Sequence, residues 1–587
     1  MNKHAFFLKT TLLSLASLFL LHGCQPPVPE PAGTVYIRYE AAVTSLNPLM
    51  AGAAGYARYA SEQIFQSLGI IDPQSLELKP LLATAVPKAR KVTEGPYAGT
   101  LAYDFEIHPK AVWDNGSEIT ANDVLFTYKL IYHPLLPTGI WQGYLEQMKG
   151  VDVDPGNPKK FTIYLGEYYI LAAEGLCLTP IYPAYHYDPT GALRNVSLSD
   201  LVNPEKAKEI AAREEQKAFA AAFADPRYAT DPASISGSGP YTLESLDSDR
   251  GLTLARKAAY WGDQAVRENP LLAAYPEKLV YRVVKAEDAT ANMLRSGELD
   301  IALNLNANTF LELQQDTALR NAYDFKTMWQ STFSRWLFNA RNPKLADVQV
   351  RQALSQLVDY DYLIQTVSAG LANRTVGPIP PNKPYYAKNI PLYQYEPEKA
   401  KTLLAAAGWT DSDKDGVLDK VINGKKTPLE LTALYSPGSA TTTMIANSIV
   451  ESAKTAGVKI ILVPAELAKI SKDTRAGEFE TALLAAGPPP TLFDFYQYYH
   501  SASLIPAGDN RSGVVNPELD ALIVQVRGTE DEVTRNKAYV RAQEILHELA
   551  PEVFLLMPQQ RYVVSKRFDY VISSNKPGFY ERLFKLR

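Results

Sequence analysis

The sequence has 587 residues, 46% hydrophobic and 21% charged, an ordinary globular balance at a length that suits several domains. Its formal net charge is −5, so no basic excess is available to neutralise phosphates, and nucleic acid is excluded as an expected partner. The 35 tyrosines can present flat amphipathic faces to a ligand, although packing accounts for most of them.

The first element is a targeting segment. Lys3 and Lys9 flank the start of an apolar run from Leu12 to Leu21, too short to span a bilayer comfortably and fitting a signal-peptide core. The run ends at Leu21-His22-Gly23-Cys24, which resembles a lipobox. That resemblance implies cleavage before Cys24 and a lipid anchor on it, with acyl chains enough for stable attachment. A plain secretory signal with a chance cysteine is the alternative. Residues 25–33 are Pro-rich and read as an extended, semi-rigid tether. Cys177 is then the one cysteine besides the anchor. Set between Leu176 and Leu178, it reads as a buried packing residue without a disulfide.

Thr34 to Arg38 reads as a strand, running into Tyr39-Glu40-Ala41-Ala42-Val43 and a loop broken by Pro48; Tyr59 to Leu68 is a helix candidate. Tyr103, Phe105 and Ile107 alternate with polar residues as a strand does. Asp114-Asn115-Gly116 follows as a turn, and Thr120, three residues before Asp123, opens a helix with a capping-box pattern. Short strands such as Phe161 to Leu165 come next. Asn203-Pro204 then starts a helix running to about Phe223. Gly237-Ser238-Gly239-Pro240-Tyr241 leads into a strand that pairs with Leu252 to Arg256. It is not a phosphate loop, because no helix opens after it and Pro240 lacks an N–H. Further on, helices at Glu287 to Ser296, Val348 to Val358, Pro397 to Ala407, Met444 to Ala456 and Asp531 to Leu549 alternate with strands at Leu299 to Leu303, Ser334 to Asn339, Val458 to Val463, Glu480 to Ala485 and Val553 to Met557. Such alternation predicts an α/β fold.

No residues mark an enzyme. Gly-x-Ser-x-Gly, Ser-x-x-Lys with its companions and His-Glu-x-x-His are all missing. His108, His133, His186, His500 and His547 have no further His or Cys at ligand spacing, so no metal site and no cofactor is expected. Asp411 to Asp419 carries oxygens where a calcium loop would, yet position 12 is Ile422 and a strand follows, so it reads as an acidic exposed turn.

The motifs in order resemble the bacterial solute-binding proteins of family 5, the oligopeptide- and dipeptide-binding type. Val112-Trp113-Asp114-Asn115-Gly116 with Thr120-Ala121-Asn122-Asp123-Val124 resembles the family signature. Leu46-Asn47-Pro48, Gly237 to Tyr241, Tyr260-Trp261-Gly262, Gly297-Glu298-Leu299-Asp300, Phe338-Asn339, Val350-Arg351-Gln352-Ala353-Leu354 and Gly377 to Pro381 match further segments in turn. The resemblance implies a two-lobe periplasmic-binding-protein-like α/β fold (type II, cluster C). It sets a signal peptide at 1–23, a tether at 24–33, a first lobe at 34–306 plus 558–587 with a subdomain inserted at about 80–236, and a second lobe at 307–557. It also implies a monomer on the periplasmic or cell-surface side of a bacterial membrane, lipid-anchored, which captures a peptide or other organic solute and delivers it to an ABC permease with its ATPase subunits. A surface lipoprotein that binds a protein or polymer is the alternative from another class.

In peptide binders of this family an Asp in a second-lobe loop holds the peptide amine. The matching position resembles Ala486, followed by Gly487, Pro488, Pro489 and Pro490. That departure removes a charge-assisted partner for an ammonium, with Asp494 as the candidate substitute. The solute contacts expected are Glu40, Ala41, Ala42 and Val43, Tyr241, Asn339, Tyr435 and the loop Ala486 to Pro490, with Trp141 and Trp329 as aromatic walls. The signature itself is expected to build a turn and a helix start, away from the solute.

Overall fold

The computed structural model describes residues 33–50, 55–145, 147–329, 331–487, 491–506 and 508–587. The leader, Cys24, most of the tether and Pro488 to Pro490 lie outside the described residues. Among the described residues no helix is long and apolar enough to cross a membrane.

Two apolar runs near the C-terminus, Val553 to Met557 and Tyr562 to Val564, are separated by Pro558-Gln559-Gln560-Arg561. The backbone carries both in one 14-residue strand, Glu552–Ser565. Its first half pairs antiparallel with Phe333–Phe338, Leu337 opposite Glu552 and Ser334 opposite Leu556, with a bulge at Ser334/Arg335. Its second half pairs with Ile301–Leu303, Ile301 opposite Val564, and with Tyr323–Trp329, from Tyr323 opposite Ser565 to Trp329 opposite Gln559. The strand therefore belongs to both lobes and knits them into one twelve-stranded sheet.

On the first-lobe side the order runs outward from the shared strand through Ile301–Leu303, Thr34–Tyr39, Lys278–Val283, Gly251–Arg256 and Tyr241–Asp247. On the second-lobe side it runs through Phe333–Phe338, Thr481–Ala486, Glu430–Tyr435 and Lys459–Pro464. The central strands read as near-continuous apolar runs because both of their faces are covered. Val35, Ile37, Leu279 and Ile301 belong to the first core; Trp336, Leu431 and Leu483 belong to the second.

The inserted subdomain carries its own four-stranded sheet of Ala89–Lys91, Leu101–Glu106, Lys160–Leu165 and Met148–Val153. Here the strand, turn and helix start of the signature form as expected. Gly116 turns at φ 80°, a conformation glycine enters without a Cβ clash. The Asp123 carboxylate accepts from the Thr120 N–H at 2.9 Å, holding the start of helix Ala121–Tyr132. Asp114 does more than turn the chain: its carboxylate accepts from Lys257 Nζ at 2.5 Å and from Ser236 Oγ at 3.2 Å. It thereby fixes the Gly237–Gly239 segment, where a Cβ would stand 2.3 Å from Ile64 O and 2.4 Å from Gln63 O respectively. Only glycine allows that approach.

Several expectations shift. The helix after Asn203 is two, Pro204–Ala212 and Glu214–Phe223, broken at Arg213, whose ψ of 130° is extended. The expected change of lobe at Ala307 falls elsewhere: Phe310, Leu313 and Leu319 pack with Ala291, Leu294, Leu299 and Val563 on the first-lobe side. Tyr323–Trp329 pairs with the second half of the shared strand and Phe333–Phe338 with the first. Pro558 likewise marks no break, lying inside the shared strand and pairing with Ala372. Cys177 is fully buried, as expected, and burial pushes its thiol up to about 12. The acidic turn leads into the hairpin Asp419–Ile422 and Lys425–Pro428, with Lys426 Nζ 2.6 Å from Asp413 and 3.3 Å from Asp419.

Candidate functional site

Strand direction locates the site. Thr34–Tyr39 and Ile301–Leu303 run parallel, with Leu303 opposite Tyr562 at their carboxyl end. Glu430–Tyr435 and Thr481–Ala486 also run parallel, and Ala486 stands opposite Phe333, the residue before the one that meets Leu556. The carboxyl ends of strands from both lobes thus converge on Met557 to Arg561, in the middle of the shared strand. In open α/β sheets, ligands settle in the crevice beyond these ends.

Glu40 leaves the first strand at this seam. It is half-buried and pairs with Arg38 at 3.3 Å; burial raises its carboxyl above the usual range while Arg38 opposes the shift. Ala41 and Ala42 are exposed beside it and Val43 is buried. Trp329 sits opposite Gln559 with 37% of its surface open, and Tyr435 ends its strand half-buried against the second core. Two expected contacts are corrected. Tyr241 is fully buried in the first core and donates to Pro276 O at 2.9 Å, so its side chain offers a solute nothing. Asn339 lies at the far end of its strand, where Phe338 meets Thr481; its amide donates to Phe479 O and it accepts from Arg341.

Ala486 and Gly487 face the seam on the second-lobe side. A Cβ on Gly487 would lie 2.5 Å from Lys576 Nζ and 3.2 Å from Thr332 Oγ1. Lys576 is therefore what stands against the loop in which peptide binders carry an acid. Loss of solvent lowers its pKa from the ordinary lysine value, with no charged neighbour among the causes. Asp494 is no substitute for that acid. Its carboxylate accepts from Arg527 Nε at 3.0 Å and from the Tyr169 hydroxyl at 3.0 Å.

That second bond crosses between the lobes, and others join it. Ile170 N donates to Arg527 O at 3.0 Å, and Thr491 Oγ1 donates to Glu174 at 2.8 Å. Burial pushes the Glu174 carboxyl up to about 7.

Behind Lys576 a cavity of about 100 Å³ opens into the first lobe, lined by Tyr59, Glu62, Gln63, Trp141, Lys576 and Arg582 among others. One water needs only ~10–15 Å³. Trp141 is half-buried on this wall and donates to Pro48 O at 3.4 Å. Motif reading missed Lys576, Arg582 and Glu174. The run Asn575-Lys576-Pro577 to Glu581-Arg582 does put unpaired cations among turn residues and aromatics, and that was its visible signal.

A model of the family described as bacterial extracellular solute-binding proteins, family 5 Middle, matches residues 77–504. The chain belongs to this family. The oligopeptide-binding protein AppA of Bacillus subtilis is 24% identical over 480 residues, 80% of this chain and 78% of that one. The dipeptide-binding protein of Escherichia coli is 25% identical over 320 residues, 54% of this chain and 55% of the other. Among solved structures, AppA in complex with a nonapeptide has a TM-score of 0.72 at 21% identity, covering 94% of this chain and 99% of that chain. NikA of Brucella suis in complex with Fe(III)-EDTA has a TM-score of 0.74 at 19% identity, covering 94% and 100%. These structures share the fold. As a family 5 member the chain is a substrate-binding transport component and not an enzyme.

Proposed function

We propose that this protein is the substrate-binding component of an ABC importer, held on a bacterial membrane through Cys24, which captures a peptide or peptide-like solute between its lobes and hands it to a permease. The reading rests on one observation. Strand ends from both lobes meet at Met557 to Arg561, and among the described residues two passages link the lobes there, one after Trp329 and one along the shared strand. Two crossings act as a hinge, and lobes on a hinge close around a solute. We assign the first lobe to residues up to about Trp329 with the C-terminal tail, the insertion to about 80–236, and the second lobe to the rest. The protein works as a monomer on the periplasmic or outer side. A peptide is the leading solute because relatives are named for oligopeptides and dipeptides.

A non-peptide organic solute is the second reading, favoured by Ala486 where an amine-binding acid would stand and by the engagement of Asp494 with Arg527. The test is hydrogen exchange and small-angle scattering of the purified protein with and without a tryptic peptide pool. Capture predicts a smaller radius of gyration and slowed exchange at Tyr168 to Glu174 and Thr491 to Tyr496. No compaction with peptides, nor with a cytosolic metabolite extract, would remove solute capture.

A further inference from the structure

Arg582 is 4% exposed, yet its guanidinium Nη2 has no hydrogen-bond partner among the described residues. A buried charge without a partner is costly, so such groups are matched by something. The obvious internal partner is committed elsewhere: Glu581, 1% exposed, takes its hydrogen bond from the Tyr281 hydroxyl at 2.6 Å. Glu62 is engaged by Arg58 at 2.7 Å. Among the described residues neither Arg582 nor Lys576 forms a salt bridge, so both bring positive charge to a wall whose carboxylates, Glu62 and the buried Glu581, are engaged by Arg58 and by Tyr281. One further orphan lies beside them, the buried Gln63 Oε1, an acceptor without a donor.

We propose that this first-lobe cavity is the subsite for an oxyanion of the solute, a carboxylate or a phosphate, held by Arg582 in the cavity and by Lys576 at the second-lobe loop. This deepens the solute-capture reading and rests on it. A guanidinium presents paired N–H groups to such an oxyanion, and an ammonium adds a compact charge. Gln63 Oε1 asks for a donor, which a hydroxyl or amide next to the oxyanion would supply. The polarity of the site is then the reverse of an amine-binding one. Where a carboxylate would take an ammonium, Ala486 is neutral and Lys576 stands ready for an anion. The solute is acidic at the end that enters the first lobe.

The test uses the full soluble chain, with Arg582→Gln and Lys576→Gln. Thermal shift is read against succinate and against inorganic phosphate, and mass spectrometry is run on the solute released from natively purified protein. A carboxylate site predicts a saturable rise in Tm with succinate and little with phosphate; a phosphate site predicts the opposite. Arg582→Gln is expected to weaken the effective probe by about thirtyfold or more and Lys576→Gln by about tenfold. Because Arg582 Nη2 is buried without a hydrogen-bond partner among the described residues, Arg582→Gln should leave the unliganded Tm unchanged or raised, whereas a merely structural arginine would lower it. A released solute without an acidic group, no response of the wild type to either anion, or unchanged affinity in both variants overturns the proposal. In the last case compaction on solute binding would persist, so solute capture would stand while the oxyanion subsite falls.

Discussion

The two walls of the cleft are built from opposite materials. The first-lobe wall carries two cations without a salt bridge among the described residues, Lys576 at the seam and Arg582 in the cavity, beside Glu40, which pairs with Arg38 at a strand end. The second-lobe wall is apolar, with Ala486 packed on Phe333, Phe554 and Met557. Its charges are spent on structure. Arg335 holds Glu552 at 2.9 Å, and Asp494 is held by Arg527. On the proposed reading, recognition of charge belongs to the first lobe, and the second acts as a cover.

The largest effect should come from breaking the second wall's structural pair. Arg335→Ala leaves the buried Glu552 carboxylate with only the Tyr499 hydroxyl, and urea denaturation should show a loss of about 3–5 kcal/mol, with the charge preference of the solute unchanged. A changed preference would mean that the second wall reads charge after all. Next in size, Ala486→Asp gives the cover a carboxylate facing Lys576. Calorimetry should then show affinity for the effective oxyanion probe reduced by about tenfold; an increase would place amine recognition at this loop.

The smallest effect is on pH dependence. Burial raises Glu174 and Glu581 to about 7, above the ~4.3 of a solvated glutamate. The folded protein therefore holds more protons than the unfolded chain between those values. Stability from these groups is full below about pH 4 and is lost as pH rises through 7. Glu174→Gln keeps an acceptor for Thr491 and removes one titration, so the fall in Tm between about pH 5 and about pH 8 should become shallower. Identical slopes would show that the contact between lobes does not titrate.

Much of this molecule could be read from its residues. The strand, turn and capped helix around Trp113 to Asp123 are local patterns, and the turn glycine Gly116 sits at positive φ as its motif asks. What failed was non-local. Gln559, Gln560 and Arg561 interrupt an apolar run, so Val553 to Met557 reads as a complete strand; pairing with Tyr323–Trp329 and bonds to Leu371 and Asn304 carry the backbone through them. Tyr241 and Asn339 were placed at the site because their motifs mark the family, yet a motif can be kept by packing as readily as by a ligand. The cavity could not be read at all, since Gln63 and Arg582 are brought together from opposite ends of the chain.

The shared strand has a further consequence, for the order in which the protein can be made. Each lobe's sheet lacks an inner member until Glu552–Ser565 is present, and that segment follows the other strands of both sheets in the sequence. Neither half can finish early and wait for the other. A chain cut short near residue 550 would lose the shared strand of both lobes at once, and the chain must search for pairings across more than 500 positions, as between Thr34 O and Arg567. Long-range closure of this kind makes folding slow and leaves unpaired edges open meanwhile.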